Sequence, residues 1–200
     1  MSEQPSCWEA LKQKIFPEEK GFAVLYGEAG VGKTSFSLTL AKNLKRKSLY
    51  VNTEGSPTYE RALQIGVPPE VEFSDDWDEW GIMHDIIKVW GSKELLIIDS
   101  INSIFRVSAS YNIESAFRAF SFICSLLRII SEKAMVLATA QVSLTGEAPS
   151  GEEALKHYST SMVRFSRVGW KMEGSAEING KFFGTYSIQR GGFEWISCEY

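Results

Sequence analysis

The sequence predicts an α/β fold with a mostly parallel central sheet, flanked by helices and extended at its C-terminal end by antiparallel hairpins. Short apolar runs alternate with amphipathic helical patterns over most of the chain, which is typical of helices that cover a parallel sheet. Residues 95–98 are apolar throughout, as expected of a strand buried on both faces. From Met162 onward the pattern changes to strands joined by turns, and Asn179-Gly180 is a pair that favours a tight hairpin.

The predicted elements follow one another in chain order. Residues 2–20 predict a short N-terminal helix, and residues 22–26 predict the first strand, which leads into a glycine-rich turn. The elements predicted after that turn are a helix at 34–44, a strand at 48–52, a helix at 58–65, a helix at about 83–90, a strand at 95–98, a long helix between 113 and 130, and a strand at 135–139. A chain of 200 residues with 44% hydrophobic content fits one domain spanning 1–200, with residues 1–20 packed on its core or leading into it.

The charge and the cysteine content argue against several classes of protein. A formal net charge of −4 gives no overall basic field, so any contact with nucleic acid must come from a local patch. The three cysteines are widely separated and form no C-x-x-C pair, which supports neither a zinc site nor a disulfide framework and favours a reduced, cytoplasmic compartment. No apolar run approaches the roughly 20 residues that span a bilayer, so we expect no membrane partner.

A glycine-rich turn lies between the first predicted strand and the helix that follows it. Residues 27–34, GEAGVGKT, match the phosphate-binding pattern G-x-x-x-x-G-K-[ST] in full. Backbone N–H groups of such a turn surround phosphate oxygens, and the positive end of the next helix adds to the attraction. Lys33 would contact the β- and γ-phosphates of ATP, and the Thr34 hydroxyl would bind Mg²⁺. The predicted cofactor-binding residues of this turn are Gly27, Glu28, Ala29, Gly30, Val31, Gly32, Lys33, Thr34 and Ser35.

Three polar residues follow other predicted strands, at the sheet edge where ligands collect. Asp99 ends the strand at 95–98 and is the second predicted metal residue, although it could instead cap the next helix. Glu54 follows the second strand and is the predicted catalytic residue that orients the attacking water, the alternative being a solvated side chain. Gln141, after the strand at 135–139, is either a group that contacts the γ-phosphate or an ordinary turn residue.

In this order and at this spacing, the segments resemble the RecA-like ATPase core of the archaeal RadA/RadB recombinase family, from about residue 21 to the C-terminus. The resemblance implies a RecA-like P-loop NTPase fold. Residues 52–55, NTEG, followed by Tyr59-Glu60-Arg61, are similar to the family's D-T-E-G and P-E-R segment, which adds Arg61 to the nucleotide-binding residues. TAQV at 139–142 is similar to T-N-Q-V, which implies that Gln141 couples the nucleotide state to a second DNA-binding loop. His157 matches a family histidine that senses phosphate across a protomer interface.

The same resemblance implies a first DNA-binding loop after Asp99, where Arg106 could hold a DNA phosphate and Tyr111 could stack on a base. The chain also departs from the family pattern. The predicted second loop, residues 143–153, is short and carries three glutamates without a lysine or an arginine, which makes it a poor DNA binder. Neither an F-x-x-A polymerisation motif before the P-loop nor an ATP-covering D-x-P segment is present. These departures indicate a recombinase paralogue and not a strand-exchange enzyme.

The sequence therefore predicts an ATP-binding and ATP-hydrolysing paralogue that modulates homologous recombination or DNA repair. Its expected partners are ATP with Mg²⁺, single-stranded DNA, and a RadA-type recombinase or another paralogue. Three alternatives stay open: a KaiC-like signalling ATPase, a nucleotide-dependent adaptor and a P-loop small-molecule kinase. A KaiC-like protein would favour adjacent glutamates where Gly55 follows Glu54, and a kinase would need an arginine-rich lid.

Overall fold

A computed structural model describes residues 5–76, 78–142, 147–169 and 172–199. The strands are β1 (Gly21–Gly27), β2 (Ser48–Asn52), β3 (Val71–Asp75), β4 (Leu95–Asp99), β5 (Met135–Gln141), β6 (Ser161–Arg167), β7 (Glu173–Ile178), β8 (Lys181–Gln189) and β9 (Gly192–Cys198). The helices are α1 (Cys7–Ile15), α2 (Lys33–Leu44), α3 (Pro57–Ile65), α4 (Glu79–Val89), α5 (Ile101–Tyr111), α6 (Ile113–Ile130) and α7 (Glu152–Tyr158), with a short 3₁₀ turn at Pro17–Glu19.

The strands of the described residues form one sheet in the order β3-β2-β4-β5-β1-β6-β7-β8-β9. The strands β3, β2, β4, β5, β1 and β6 run parallel to their neighbours in the sheet. The strands β6, β7, β8 and β9 pair antiparallel. Successive side chains of a strand point to opposite faces, so Ala23 and Leu25 of β1 enter one core while Phe22 and Val24 enter the other. Helices α1, α2 and α3 cover the first face, and α4 to α7 cover the second. The predicted α/β fold with an antiparallel C-terminal extension is confirmed.

Two elements differ from the sequence prediction. Strand β3 was not predicted, because only its first residue is fully buried and it pairs with β2 alone at the sheet edge. Helix α5 occupies the segment that resembled a first DNA-binding loop, so Arg106 and Tyr111 lie on a helix and the loop prediction is wrong. Residues 143–146 of the predicted second loop lie outside the described residues. Among the residues that the structure does describe, no helix is both long and apolar enough to cross a membrane.

The N-terminal helix is shorter than predicted. It begins after Ser6, which forms a capping box with Glu9, and this arrangement satisfies backbone donors at the helix start. It ends at Ile15, with Phe16 as its C-cap immediately before Pro17, whose ring and missing N–H disfavour continuation of a helix. The predicted helix over residues 2–20 is therefore reduced to Cys7–Ile15.

The C-terminal strands form a hairpin layer that joins back to the N-terminal helix. The β7–β8 turn is Asn179-Gly180, with φ angles of 50° and 77°, as the sequence predicts. A disulfide links Cys7 of α1 to Cys198 of β9, with Cα atoms 5.7 Å apart. The expectation that the cysteines form no disulfide is therefore wrong, because a pair 191 residues apart leaves no local spacing pattern to recognise. Cys124 is buried and unpaired.

Candidate nucleotide-binding site

A cleft of about 430 Å³ opens at the carboxyl ends of β1, β2, β4 and β5. This is the edge at which open α/β sheets bind ligands. The residues that line the cleft are Ala29, Gly30, Gly32, Lys33, Thr34, Ser35, Glu54, Pro57, Thr58, Arg61, Asp99, Ser100, Gln141, Met172 and Ile188. Most of the predicted catalytic, metal and cofactor residues therefore share one cleft, although the chain separates them by more than 100 residues.

The glycine-rich turn connects β1 directly to α2. Gly32 has a φ of 96° and precedes the first helical residue, Lys33; this backbone conformation favours glycine. A Cβ atom at Gly27 would lie 2.4 Å from the carbonyl oxygen of Phe165, so glycine is also required for the close approach of β6. Helix α2 points its N-terminus into the cleft, where backbone N–H groups could hold phosphate oxygens. The turn has the geometry that the phosphate-binding pattern requires.

The Lys33 side chain is buried and bonded to its own loop. Its Nζ donates to the carbonyl oxygens of Gly27, at 2.9 Å, and Glu28, at 2.7 Å. Burial lowers the pKa of Lys33 to about 8, and the nearby carboxylates of Asp99 and Glu54 offset only part of that effect. The ammonium group could exchange these two carbonyls for phosphate oxygens when a nucleotide enters. Glu28 therefore contributes a backbone acceptor, while its exposed side chain does not line the cleft.

Asp99 and Thr34 form an oxygen-rich corner of the cleft. The Thr34 hydroxyl donates to Oδ2 of Asp99 at 2.7 Å. Ser100 occupies the N-cap position of helix α5, and no side chain makes a capping hydrogen bond there, so the alternative role of Asp99 as a helix cap does not hold. Within the described ranges, no three His, Cys, Asp or Glu residues cluster closely enough to hold a metal ion. One carboxylate and one hydroxyl nevertheless fit Mg²⁺, which takes few protein ligands and relies on phosphate and water for the rest.

Glu54 and Gln141 meet at the open side of the cleft. Oε1 of Glu54 accepts from the Ser100 hydroxyl at 2.5 Å, and Nε2 of Gln141 lies 3.4 and 3.5 Å from the two Glu54 oxygens. Asn102 fixes the Gln141 backbone, because its side chain donates to the Gln141 carbonyl at 2.8 Å and accepts from the Gln141 N–H at 3.0 Å. The Gln141 backbone is therefore fixed by Asn102, and its side chain faces Glu54. This arrangement differs from that of an ordinary turn residue.

Arg106 reaches the same group from α5. Its Nη1 donates to Oε1 of Gln141 at 3.1 Å, and its side chain is exposed to solvent. A chain of contacts thus runs from Arg106 through Gln141 to Glu54. Tyr111, at the other end of α5, is 86% exposed and does not line the cleft. His157 lies exposed on α7 and also stays outside the cleft, so its role across a protomer interface stays a prediction.

The C-terminal hairpin layer supports the phosphate-binding turn from behind. Arg167 of β6 donates to the Gly30 carbonyl at 2.9 Å, and the Tyr186 hydroxyl of β8 donates to the Val31 carbonyl at 2.8 Å. Burial raises the pKa of Tyr186 well above its usual range, which keeps the hydroxyl a donor. Together these two side chains bind carbonyl groups of the turn and hold it against the hairpin layer.

Arg61 links α3 to two other parts of the site. Its Nε donates to the Ser35 hydroxyl at 2.9 Å, and its terminal nitrogens donate to the carbonyls of Gln189, at 2.6 Å, and Arg190, at 3.0 Å. The guanidinium therefore connects the start of α2 to the β8–β9 turn at the rim of the cleft. Its contact with a nucleotide stays a prediction.

Sequence reasoning missed three hydroxyl groups of the site, those of Tyr50, Ser100 and Thr139. Tyr50 donates to Oδ2 of Asp99 at 2.6 Å, and Thr139 donates to Oδ1 of the same carboxylate. One signal for Tyr50 was available. A tyrosine within a continuous buried strand needs a partner for its hydroxyl, and the carboxylate on the adjacent strand is that partner.

Comparison with known proteins agrees with the fold. No protein-family model matches the chain. The DNA repair and recombination protein RadB of Methanosphaera stadtmanae is 26% identical over 172 residues, which covers 74% of each chain. The chain is RadA/RadB-like. The crystal structure of the RadB recombinase superposes on this RadA/RadB-like chain with a TM-score of 0.68 and 20% sequence identity. The superposition covers 88% of the present chain and 91% of the recombinase chain. That likeness confirms the RecA-like fold.

Proposed function

We propose that this RadA/RadB-like chain is a slow, Mg²⁺-dependent ATPase that modulates homologous recombination or DNA repair. The observation that carries the proposal is the meeting of Lys33, Thr34, Glu54, Asp99 and Gln141 in one cleft. The likeness to a DNA repair and recombination protein supports the biological role. A RadA-type recombinase or another paralogue is the proposed protein partner, and single-stranded DNA is the proposed nucleic acid.

The side chains of the cleft suggest how the reaction proceeds. Lys33 and the N–H groups of the turn bind and orient the phosphates, with the lysine charge beside the bond that breaks. Glu54 accepts a hydrogen bond from the attacking water and takes its proton. Gln141 fixes the orientation of Glu54 and of that water. The Thr34 hydroxyl would bind Mg²⁺ and Asp99 would hold the ion through water, so that its positive charge would offset the charge on the phosphate oxygens.

Two substitutions separate ATP binding from ATP hydrolysis. Lys33→Ala should abolish hydrolysis, because the buried ammonium is lost from the phosphate site. Glu54→Gln should bind ATP but hydrolyse it slowly, because the amide cannot take the proton. Phosphate release and binding of a fluorescent ATP analogue are measured in parallel. Lys14→Ala and Glu60→Gln, both on exposed helical surfaces, serve as matched controls that retain activity. Wild-type turnover in Lys33→Ala would contradict the assignment of the phosphate site.

Arg106 provides a proposed link between nucleic acid and catalysis, because it contacts Gln141, which in turn contacts Glu54. If the exposed Arg106 guanidinium binds a phosphate of single-stranded DNA, its hydrogen bond to the Gln141 side chain would weaken or break. We therefore expect single-stranded DNA to alter ATP turnover, with an effect that weakens as the salt concentration rises.

The test compares Arg106→Ala with Arg118→Ala, since Arg118 is an exposed arginine of α6 that pairs with Glu114. Arg106→Ala should lose the response to DNA, and Arg118→Ala should keep it. Turnover that single-stranded DNA leaves unchanged at every salt concentration would contradict the proposed coupling. Binding of ATP and of a recombinase without any turnover would favour a nucleotide-dependent adaptor.

A further inference from the structure

The Tyr50 hydroxyl contacts the carboxylate of the candidate metal site from inside the core. Tyr50 lies in the middle of β2, and its side chain is 0% exposed. Its hydroxyl donates to Oδ2 of Asp99 at 2.6 Å. The hydroxyl therefore finds its hydrogen-bond partner inside the core, and no water needs to enter to satisfy it.

Hydroxyl groups from both neighbouring strands hold the Asp99 carboxylate. Strand β4, which ends at Asp99, lies between β2 and β5 in the sheet. Tyr50 of β2 donates to Oδ2, and Thr139 of β5 donates to Oδ1. Thr34 of α2 also donates to Oδ2 and is the one donor of the three that stands at the cleft. The carboxylate thus has one buried donor on each oxygen, and these two donors set its rotation.

We propose that Tyr50 is a positioning residue for the metal ion, which it serves by holding Oδ2 of Asp99 toward Thr34, with Thr139 holding the other oxygen. This inference rests on the proposed function, because it assigns the metal to Thr34 and Asp99. Groups that hydrogen-bond a metal-binding carboxylate fix its direction, and their loss typically costs 10- to 100-fold in metal affinity or activity. The Tyr50 hydroxyl is expected to act on the metal and not on the nucleotide, because it does not line the cleft.

The aromatic ring of Tyr50 has a separate, structural role. It packs against Phe73 with ring centroids 5.1 Å apart, and Phe73 packs in turn against Tyr59 at 5.3 Å. Phenylalanine at position 50 would keep this stack and remove only the hydroxyl. Tyr59 offers a matched control, because its hydroxyl donates to a different carboxylate, Asp75, at 2.9 Å. Tyr59→Phe therefore removes a tyrosine–aspartate hydrogen bond from the same stack without touching Asp99.

The experiment titrates Mg²⁺ at saturating ATP for the wild type, Tyr50→Phe and Tyr59→Phe. Tyr50→Phe should raise the Mg²⁺ concentration for half-maximal turnover by about 10-fold or more, while binding of a fluorescent ADP in EDTA stays within about 2-fold of wild type. Tyr59→Phe should match the wild type in both measurements. Thr139→Val, which removes the other buried donor, should also raise the Mg²⁺ requirement. An unchanged Mg²⁺ requirement in a folded Tyr50→Phe variant would overturn the inference.

A binding measurement distinguishes failure of this inference from failure of the proposed function. ATP binding by each variant is measured with Mg²⁺ and with EDTA, and no turnover is needed. If Mg²⁺ strengthens ATP binding to the wild type and to Tyr50→Phe equally, Tyr50 has no positioning role. If Mg²⁺ leaves ATP binding to the wild type unchanged, the assignment of the metal to Thr34 and Asp99 fails and the inference about Tyr50 fails with it.

Discussion

Removal of the Cys7–Cys198 disulfide should lower the free energy of unfolding by about 3–5 kcal/mol. The bond joins α1 to β9 across a sequence separation of 191 residues. In the chain-entropy description, the stabilisation grows with the logarithm of the closed loop, and a loop of this length corresponds to about 5 kcal/mol at 25 °C. Residual structure in the unfolded chain makes this an upper value.

The contacts around the bond suggest that the native structure survives its loss. Trp8 of α1 stacks on Phe36 of α2, with centroids 5.3 Å apart, and meets Trp195 of β9 at 6.2 Å. These contacts keep α1 on the core in the reduced protein, so the disulfide acts mainly on the unfolded chain. For a domain of this size, a change of several kcal/mol corresponds to a decrease in Tm of about 10 °C.

The assay compares thermal and urea unfolding of the wild type with and without a thiol reductant. The double variant Cys7→Ser/Cys198→Ser should unfold like the reduced wild type, and reductant should leave it unchanged. Cys124 is not mutated in any sample, because it is buried and replacing it would itself change the packing of the core. An identical Tm for the oxidised wild type and the double variant would refute the loop-closure argument.

Three further predictions concern the phosphate-binding turn and a neighbouring pair of carboxyl groups. Tyr186→Phe removes the donor to the Val31 carbonyl and should weaken nucleotide binding several-fold, since such a buried hydrogen bond contributes about 1 kcal/mol. Because burial lowers the pKa of Lys33 to about 8, ATP binding should take up a proton and weaken as the pH rises above 8. Burial and the neighbouring Asp85 raise the pKa of Asp76 from 3.8 to about 6. The folded state thus binds this proton more tightly than the unfolded chain does, so this group's contribution to stability falls as the pH rises from about 4 to about 6.

Each of these predictions has a direct measurement. Fluorescent ADP titrations of Tyr186→Phe in EDTA test the first, and wild-type affinity would contradict it. ATP affinity between pH 7 and pH 9.5 tests the second, and a flat profile would show that Lys33 stays charged in the free protein. Urea unfolding between pH 4 and pH 7 tests the third, where Asp85→Asn should reduce the pH dependence relative to the wild type.

Local sequence patterns predicted the elements and residues whose signals are contained in a few neighbouring positions. Residues 27–34 carry the complete phosphate-binding pattern, and β4 is an unbroken apolar run, so both were predicted in the right place. The edge strand β3 escaped prediction because only one neighbour buries it and its polar residues face solvent. Helix α5 lies where the family resemblance implies a loop, because Ile101, Ile104 and Phe105 stand at helical spacing and bury one side of the segment against the core.

The missed parts of the site depend on how separate strands lie in register. Tyr50 pairs with Ile97 and therefore stands two residues before Asp99 along the sheet, a relation that no single segment reveals. Ser100 is adjacent in sequence to the metal-site carboxylate, yet its bond to Glu54 requires the ends of β2 and β4 to meet. The hydrogen bond from Arg167 to Gly30 joins residues 137 positions apart, and the hydrogen bond from Tyr186 to Val31 joins residues 155 positions apart. Sequence reasoning thus identified the groups with intrinsic chemistry but not the groups that orient them.

The hydrogen bonds from Arg167 and Tyr186 to the glycine-rich turn form late while the protein is synthesised. The glycine-rich turn leaves the ribosome early, whereas its last support, Tyr186, is translated 155 residues after Val31. Synthesis at about 5–20 residues per second separates the two events by roughly 8–30 s. During that interval the nascent chain carries the whole phosphate-binding motif without the hydrogen bond from Tyr186. The turn should therefore reach its full nucleotide affinity only after β8 has docked behind it.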